Sequence, residues 1–176
     1  MDVLQTIILS ERLILVPLSM EFTHVIFDNF TPEITTYMLP KAPEAIKDTE
    51  KFINNAILRM QKNEELSITI LHKDTDEFLG GASILNIHTS TPKLGIWIKK
   101  SAQGNKYGRE AVTALKKWAD EHIKYDYIIY PVDRRNISSC KIAESLGGVV
   151  KAEYKKENQS GNILDEIEYR IYKNIH

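Results

Sequence analysis

The sequence predicts an α+β fold in which one mostly antiparallel sheet carries the core. Three observations support this. Strand-like runs in the middle and at the end of the chain are joined by short polar turns. Amphipathic helical stretches lie before and between them. The resulting order is roughly β-α-α-β-β-β-α-β-α-β-β. No internal repeat, low-complexity tract or Pro/Gly/Ser-rich linker divides the 176 residues, so residues 1–176 read as a single domain.

Each element follows from local chemistry. Residues 6–16, TIILSERLILV, read as an extended opening strand with a polar break at Ser10-Glu11-Arg12. Residues 20–30 and 43–62 read as helices. In the second, Ile46, Thr49, Ile53, Ala56, Ile57 and Met60 recur at three and four, making one buried stripe, and Pro43 suits its first turn. LSITILHKD and EFLGGASILNI are strand-like runs joined by Asp74-Thr75-Asp76, a hairpin signal. KLGIWIKK is another strand after a Ser-Thr-Pro turn. Tyr107, Ala111, Leu115 and Trp118 mark a helix reaching about Ile123. DYIIYPV is a strand, and Asn136 to Leu146 a short helix stopped by Gly147-Gly148. VVKAEYKKE and ILDEIEYRIYK flank Asn158 to Asn162 as a final hairpin.

Composition narrows the function. With 43% hydrophobic and 27% charged residues the balance is that of an ordinary globular protein. The 23 basic and 24 acidic residues leave a formal charge of −1, so no whole-protein field draws the chain to nucleic acid or a membrane surface. The single cysteine, Cys140, rules out an internal disulfide and a cysteine-based zinc cluster, and no metal is expected. The apolar start is interrupted by Asp2, Glu11 and Arg12 and lacks a small-residue cleavage site, so a strand is the better reading than a signal peptide. No apolar run reaches the ~18 residues of a membrane span. The expectation is a soluble, cytoplasmic protein.

The stretch SAQGNKYGREA, residues 101–111, is a strand-to-helix turn. The first N–H groups of a helix lack intrahelical partners and carry the positive end of the dipole, so a diphosphate suits them. Gly104 and Gly108 would let a ligand approach the backbone, and Lys106 and Arg109 would add charge. The same residues also fit a plain glycine turn opening a helix. Neither the P-loop string nor the dinucleotide GxGxxG is present. Further on comes DRRNISSCKIAESLGG, in which Asn136 is a natural N-cap and Ser139 falls at the third helical position.

Together the two stretches resemble the GCN5-related N-acetyltransferase (GNAT) superfamily. The family loop reads Gln/Arg-x-x-Gly-x-Gly/Ala, and QGNKYG matches at Gln103 and Gly108 but carries Lys106 at the middle glycine. The later motif, Asn-x-x-Ser followed by a helix and Gly-Phe, matches at Asn136, Ser139 and Gly147, with Gly148 replacing the aromatic. SERLILVPL, EFLGGASI, GREAV and LDEIEYRIY resemble, in order, segments of the branch that acetylates ribosomal-protein N-termini, the RimJ/RimL-like branch.

The resemblance implies a sheet splayed between two neighbouring parallel strands, KLGIWIKK and DYIIYPV, with acetyl-CoA as cosubstrate lying in the cleft. It implies that the backbone of Ile96, Trp97 and Ile98 bonds the pantetheine amides and the thioester carbonyl. It implies that Gln103, Gly104, Asn105, Lys106, Tyr107 and Gly108 cradle the pyrophosphate. Asn136 would bond pantetheine or order its helix, and Ser139 would donate a proton to the departing thiolate. The attacking amine needs a base. No carboxylate lies on the central strand. Glu110 reads as a helix-dipole residue, His88 as a solvated strand end, Asp133 as a cap or turn residue and Tyr130 as core, so no base is assigned. Trp97 reads as core or cleft wall, and Cys140, on the apolar face with Ile137, Ala143 and Leu146, as a buried small hydrophobe.

Three functions fit these residues. The first is acetylation of a protein N-terminal amine, a ribosomal protein included. The second is acetylation of a small amine such as a polyamine, amino sugar or antibiotic. The third is an acyl-CoA-binding regulatory module without turnover.

Overall fold

The computed structural model describes residues 2–173. In chain order the elements are β1 (Ile8–Leu9), β2 (Leu13–Pro17), α1 (Thr23–Asn29), α2 (Ile46–Gln61), β3 (Glu65–His72), β4 (Phe78–Leu85) and β5 (Lys93–Ile98). They continue as α3 (Tyr107–His122), β6 (Tyr127–Asp133), α4 (Ile137–Ser145), β7 (Val149–Glu157) and β8 (Ile163–Tyr172). The strands form one eight-stranded sheet in the order β1-β2-β3-β4-β5-β6-β8-β7. Every neighbouring pair is antiparallel except β5 and β6.

The opening segment corrects the sequence reading. It is a tight hairpin rather than one strand, with Ile8 opposite Leu15 and Leu9 opposite Ile14. The polar break makes the turn: Ser10 N–H donates to the Leu13 carbonyl at 3.0 Å, and Leu13 N–H to Ser10 Oγ at 3.1 Å. Helix α2 buries Thr49, Ile53, Ala56 and Met60, four of the stripe residues. Its start is later than expected. Pro43 lies outside the helix, and the Asp48 carboxylate accepts from the N–H groups of Glu44 (2.9 Å) and Ala45 (3.0 Å). Helix α3 buries Ala111, Val112, Leu115, Trp118 and Ala119. Helix α4 ends in a Schellman motif, with Gly147 at φ +76° and Gly148 N–H reaching back to the Ala143 carbonyl at 2.9 Å.

Side-chain alternation assigns the two faces. A Cβ on Gly108 at the start of α3 would meet Ile98 Cγ1 at 3.5 Å and Ile96 Cδ1 at 3.8 Å, so the even residues of β5 face α3. Trp97 points the other way, its ring 4.9 Å from that of Phe30, just past α1. On β6, Tyr130 touches Ser139 of α4. Helices α3 and α4 therefore cover one face, and α1 and α2 the other.

Strands β5 and β6 part almost at once. They share one register pair, Lys93 with Ile129, where Ile129 N–H donates to the Pro92 carbonyl at 2.8 Å. Backbone direction alternates along each strand. Lys99 N–H bonds the Leu79 carbonyl of the β4 side at 2.8 Å, so Trp97 turns its polar groups to β4 while Ile96 and Ile98 turn theirs to the gap. On β6 the residues facing the gap are Ile129, then Pro131. A proline inside a central strand ordinarily forfeits a ladder bond. Here its missing N–H falls where β5 has already left.

The end of β6 is tied down by Asp133. Its buried carboxylate accepts from Arg135 N (2.9 Å), Nε (2.8 Å) and Nη2 (2.6 Å), and from Asp165 N of β8 (2.8 Å). The Arg135 side-chain bonds lead in lowering its pKa from 3.8 to about 2, against the opposing effect of burial. The folded pKa lies below the unfolded one, so the stabilisation is present above about pH 4 and is lost as pH falls toward about 2. It amounts to about 2 kcal/mol. Asp133→Asn is expected to flatten this acid limb, read from urea midpoints collected between about pH 5 and about pH 2.

Candidate active site

The loop between β5 and α3 is held by its own side chains. Gln103 Nε2 donates to the Ile98 carbonyl at 3.1 Å, and Asn105 Nδ2 to the Ala102 carbonyl at 3.0 Å. Gly104 takes φ +84°, and no atom lies within 4 Å of the Cβ position it leaves empty. Lys106 is the N-cap residue of α3 at φ +63°, ψ +16°, and its side chain makes no capping bond. The first N–H groups of α3 thus keep open positions at the positive end of its dipole, which suits a pyrophosphate.

Two of the residues predicted for this loop have a different physical reason from the one expected. Gly108 opens no space toward a ligand. Its Cβ would meet Ile142 Cδ1 at 3.3 Å besides Ile96 and Ile98, so glycine here lets α3 sit close on β5 and α4. Lys106 occupies the left-handed region that a glycine adopts without cost. With Arg12, Arg109 and Lys117 it lines a hollow of 490 Å³ on the outer flank of α3.

Glu110 is a clamp. Its carboxylate accepts from Ser10 Oγ (2.7 Å), Arg12 N (2.7 Å) and Arg12 Nε (2.8 Å), and Arg12 Nη2 reaches on to the Asn105 carbonyl at 3.1 Å. Burial pushes its pKa up, but the bonds from Arg12 and Ser10 outweigh that and hold it below the usual range. The polar break in the opening segment therefore locks the β1–β2 turn to the loop. Arg12 also lies over the Tyr107 ring, 4.7 Å from its centroid.

The opposite wall of the gap comes from β6 and α4. Asn136 caps α4 through a 3.3 Å bond from Ser139 N–H. Ser139 Oγ, half-buried, lies 2.7 Å from Tyr130 Oη. Cys140 is buried, and burial pushes its thiol pKa up, which removes it as a nucleophile. Gly148 stands where no side chain fits: its Cβ would lie 2.7 Å from the Ala143 carbonyl oxygen and 3.3 Å from Tyr169 Cδ1.

On the α1/α2 face, Trp97 with Phe30 and Phe78 (ring centroids 4.9 and 5.7 Å) forms an aromatic wall beside the gap. The α1–α2 connection and the β7–β8 turn meet across this face, where Asn158 Nδ2 donates to the Met38 carbonyl (3.2 Å) and Gln159 N–H to the Leu39 carbonyl (2.9 Å). Strand β8 turns Glu166 and Glu168 to it, opposite Asp133 and Pro131. Glu168 is paired with Arg170 at 3.0 Å. Glu166 is 6% exposed, has no cation within ion-pair distance among the described residues, and accepts from Tyr154 Oη at 2.8 Å. Sequence reasoning missed it, because in LDEIEYRIY it looks like any acidic residue of an alternating strand. His88, exposed beyond the end of β4 that adjoins Lys93, lies at the opposite end of the sheet from the gap.

The matching family model is the acetyltransferase (GNAT) domain, over residues 12–149. The chain is a GNAT acetyltransferase. Among curated proteins none matches it in sequence. The fold is shared with the Salmonella typhimurium acetyl transferase that modifies the N-terminal serine of a 50S ribosomal-subunit protein (TM-score 0.83, 17% identity, 96% of this chain and 100% of that one). It is shared too with the microcin self-immunity acetyltransferase solved with acetyl-CoA and AMP (0.80, 18%, 93% and 93%). A third is the Vibrio cholerae spermidine N-acetyltransferase solved with CoA and spermine (0.77, 17%, 93% and 95%). As a member of this family, this chain is an N-acetyltransferase with acetyl-CoA as acyl donor. Among its described residues, no helix is long and apolar enough to cross a membrane and no cluster of His, Cys, Asp or Glu is disposed to hold a metal.

Because a left-handed non-glycine residue costs about 1 kcal/mol, Lys106→Gly is expected to raise the unfolding free energy by about that amount. Lys106→Val, with a β-branched side chain, is expected to lower it. Chemical denaturation of the three proteins decides the order.

Proposed function

We propose that this acetyltransferase acts on the α-amine at a protein N-terminus. The observation that carries the reading is the poverty of free carboxylates beside the gap. Of the three that β6 and β8 turn to the α1/α2 face, Asp133 is held by Arg135 and Glu168 by Arg170, leaving Glu166 without an ion pair among the described residues, with the half-buried Lys93 of β5 as the nearby cation that acts on it. One free carboxylate matches one ammonium, whereas a polyamine presents several. An α-amine, with a reference pKa of about 8, is roughly 10% neutral at pH 7, while a lysine-type amine is neutral in well under about 0.1% of molecules. An α-amine is therefore the acceptor least dependent on a strong base.

In this reading the N–H groups of Ile96 and Ile98 face the acyl group and its developing oxyanion, the strongest electrostatic contribution to acyl transfer. The α3 N-terminus, Gln103 to Gly108, holds the pyrophosphate. Asn136 keeps α4 in place, and Ser139 faces the leaving sulfur. Glu166 accepts the ammonium proton directly or through water, and Tyr154 orients its carboxylate. The small-amine reading and the non-catalytic reading are the alternatives.

Incubation with acetyl-CoA and a panel of peptides with free N-termini, alongside spermidine and an aminoglycoside, separates the three by release of CoA thiol. Peptide-dependent release supports the proposal. Release only with the small amines replaces the acceptor, and tight acetyl-CoA binding without release from any amine points to a regulatory module. Glu166→Gln is expected to lower kcat at neutral pH by about 10²-fold and to shift or abolish the acidic limb of the kcat/KM profile, with little change in KM for acetyl-CoA. An unaltered profile removes Glu166 from the role.

A further inference from the structure

We infer that Tyr130 is a positioning residue, which donates its phenolic hydrogen to Ser139 Oγ so that the serine hydrogen is free to point at the leaving sulfur. This rests on the reading of Ser139 given above and deepens it. The two oxygens are 2.7 Å apart, and geometry alone lets either be the donor. Burial decides the direction. Tyr130 is 2% exposed, and among the described residues Ser139 Oγ is the only hydrogen-bond partner of its Oη. A phenol hydrogen turned anywhere else would be an unsatisfied buried donor. Ser139 is half-buried, and its Oγ has no other protein partner among the described residues, so its own hydrogen is uncommitted. The bond from Tyr130 takes one Ser139 lone pair and polarises the O–H, which strengthens it as a donor.

The scaffold supports this use. Tyr130 lies on β6 next to Pro131, where the strand edge faces the gap, and Ser139 is the third residue of α4 behind the Asn136 cap. Both positions are rigid, one in a sheet and one in a capped helix turn. Neither hydroxyl otherwise has an evident structural role, since Phe would fill the Tyr130 site and the Asn136 cap uses the Ser139 backbone N–H.

The proton balance is as follows. The ammonium first gives one proton to Glu166, which passes it to bulk water. The neutral amine nitrogen then forms a bond to the acyl carbon and gives up a second proton to the base. The C–S bond breaks, and sulfur leaves with the bonding pair. Burial pushes the Tyr130 pKa up to about 12, with the Ser139 bond partly opposing, against about 8.5 for an ordinary thiol. Tyr130 and Ser139 therefore keep their protons and act as a chain of hydrogen-bond donors to the thiolate, a role for Ser139 that differs from the full proton transfer the resemblance implies. Sulfur takes its final proton from the one removed from nitrogen, by way of water.

The test measures the thiol pKa of bound CoA from its ultraviolet thiolate absorbance, with kcat and KM beside it, in wild type, Tyr130→Phe and Ser139→Ala. A donor chain predicts a bound-thiol pKa higher by about half a unit to one unit in both variants, and kcat lower by about five- to tenfold in Tyr130→Phe with KM for acetyl-CoA unchanged. If Ser139→Ala moves the thiol pKa and Tyr130→Phe does not, the inference on Tyr130 is overturned while Ser139 keeps its role. If neither moves it although CoA binds, the reading of Ser139 itself fails. Difluorotyrosine at position 130 guards against a folding defect: as a stronger donor on a near-isosteric ring it is expected to lower the bound-thiol pKa, and no change overturns the proposal.

Discussion

Everything in this protein's site depends on the parting of β5 and β6. A sheet normally satisfies its backbone by pairing each strand with two neighbours, and an unpaired buried N–H is costly. Here β5 pairs fully with β4, yet meets β6 at a single register position. Ile96 and Ile98 are left with polar groups directed into a gap, which is where an extended ligand carrying amides can complete the ladder. Pro131 makes the same statement from the other side, since it offers no donor on the edge that β5 has left. The parting is thus written into both strands, by a proline in one and by a loop anchored on Ile98 in the other.

The clamp around Glu110 explains why the chain begins as it does. Strands β1 and β2 lie at the far edge of the sheet, but their turn reaches across to the loop that opens α3. One carboxylate gathers three donors from Ser10 and Arg12, and the arginine passes the connection on to the Asn105 carbonyl. Several bonds converging on a 17% exposed side chain outweigh what a solvated ion pair contributes. The loop that would meet a pyrophosphate is therefore fixed before any ligand arrives, and the cost of ordering it falls on folding instead of binding.

Much of this was legible in the sequence, because periodicity and caps are local. The stripe of α2, the Asn136 cap and the Gly147 stop each depend on residues within a few positions of one another, and they stand as expected apart from the late start of α2. The hairpin of β1 and β2 was hidden because the same run of apolar residues serves one long strand or two short ones. What decides between them is the pull of Glu110, about a hundred residues away. The same holds for the site. Gln103, Asn136 and Ser139 sit in motifs, whereas Glu166 and Pro131 acquire meaning only when β6 and β8 are aligned and a face is assigned. Gly108 was recognisable as a glycine position, but the reason for it, three isoleucines from two elements, was not.

The departure at Lys106 follows from the same logic of charge. A cation at a helix N-terminus lies at the wrong end of the dipole, and a left-handed lysine is strained besides. Arg12, Arg109 and Lys117 surround the same hollow, and among the described residues only Arg12 of the four is paired with a carboxylate. Glu110 is the one carboxylate lining this hollow, and it is taken up by Arg12, so among the described residues Lys106, Arg109 and Lys117 have no ion-pair partner. A doubly charged pyrophosphate at the open end of α3 would offset the lysine and the dipole together. If the pyrophosphate lies where we propose, a residue unfavourable to the isolated loop would be favourable to the complex. The glycine of the family pattern gives the turn its shape at no cost, and lysine gives the same shape at some cost with a charge added.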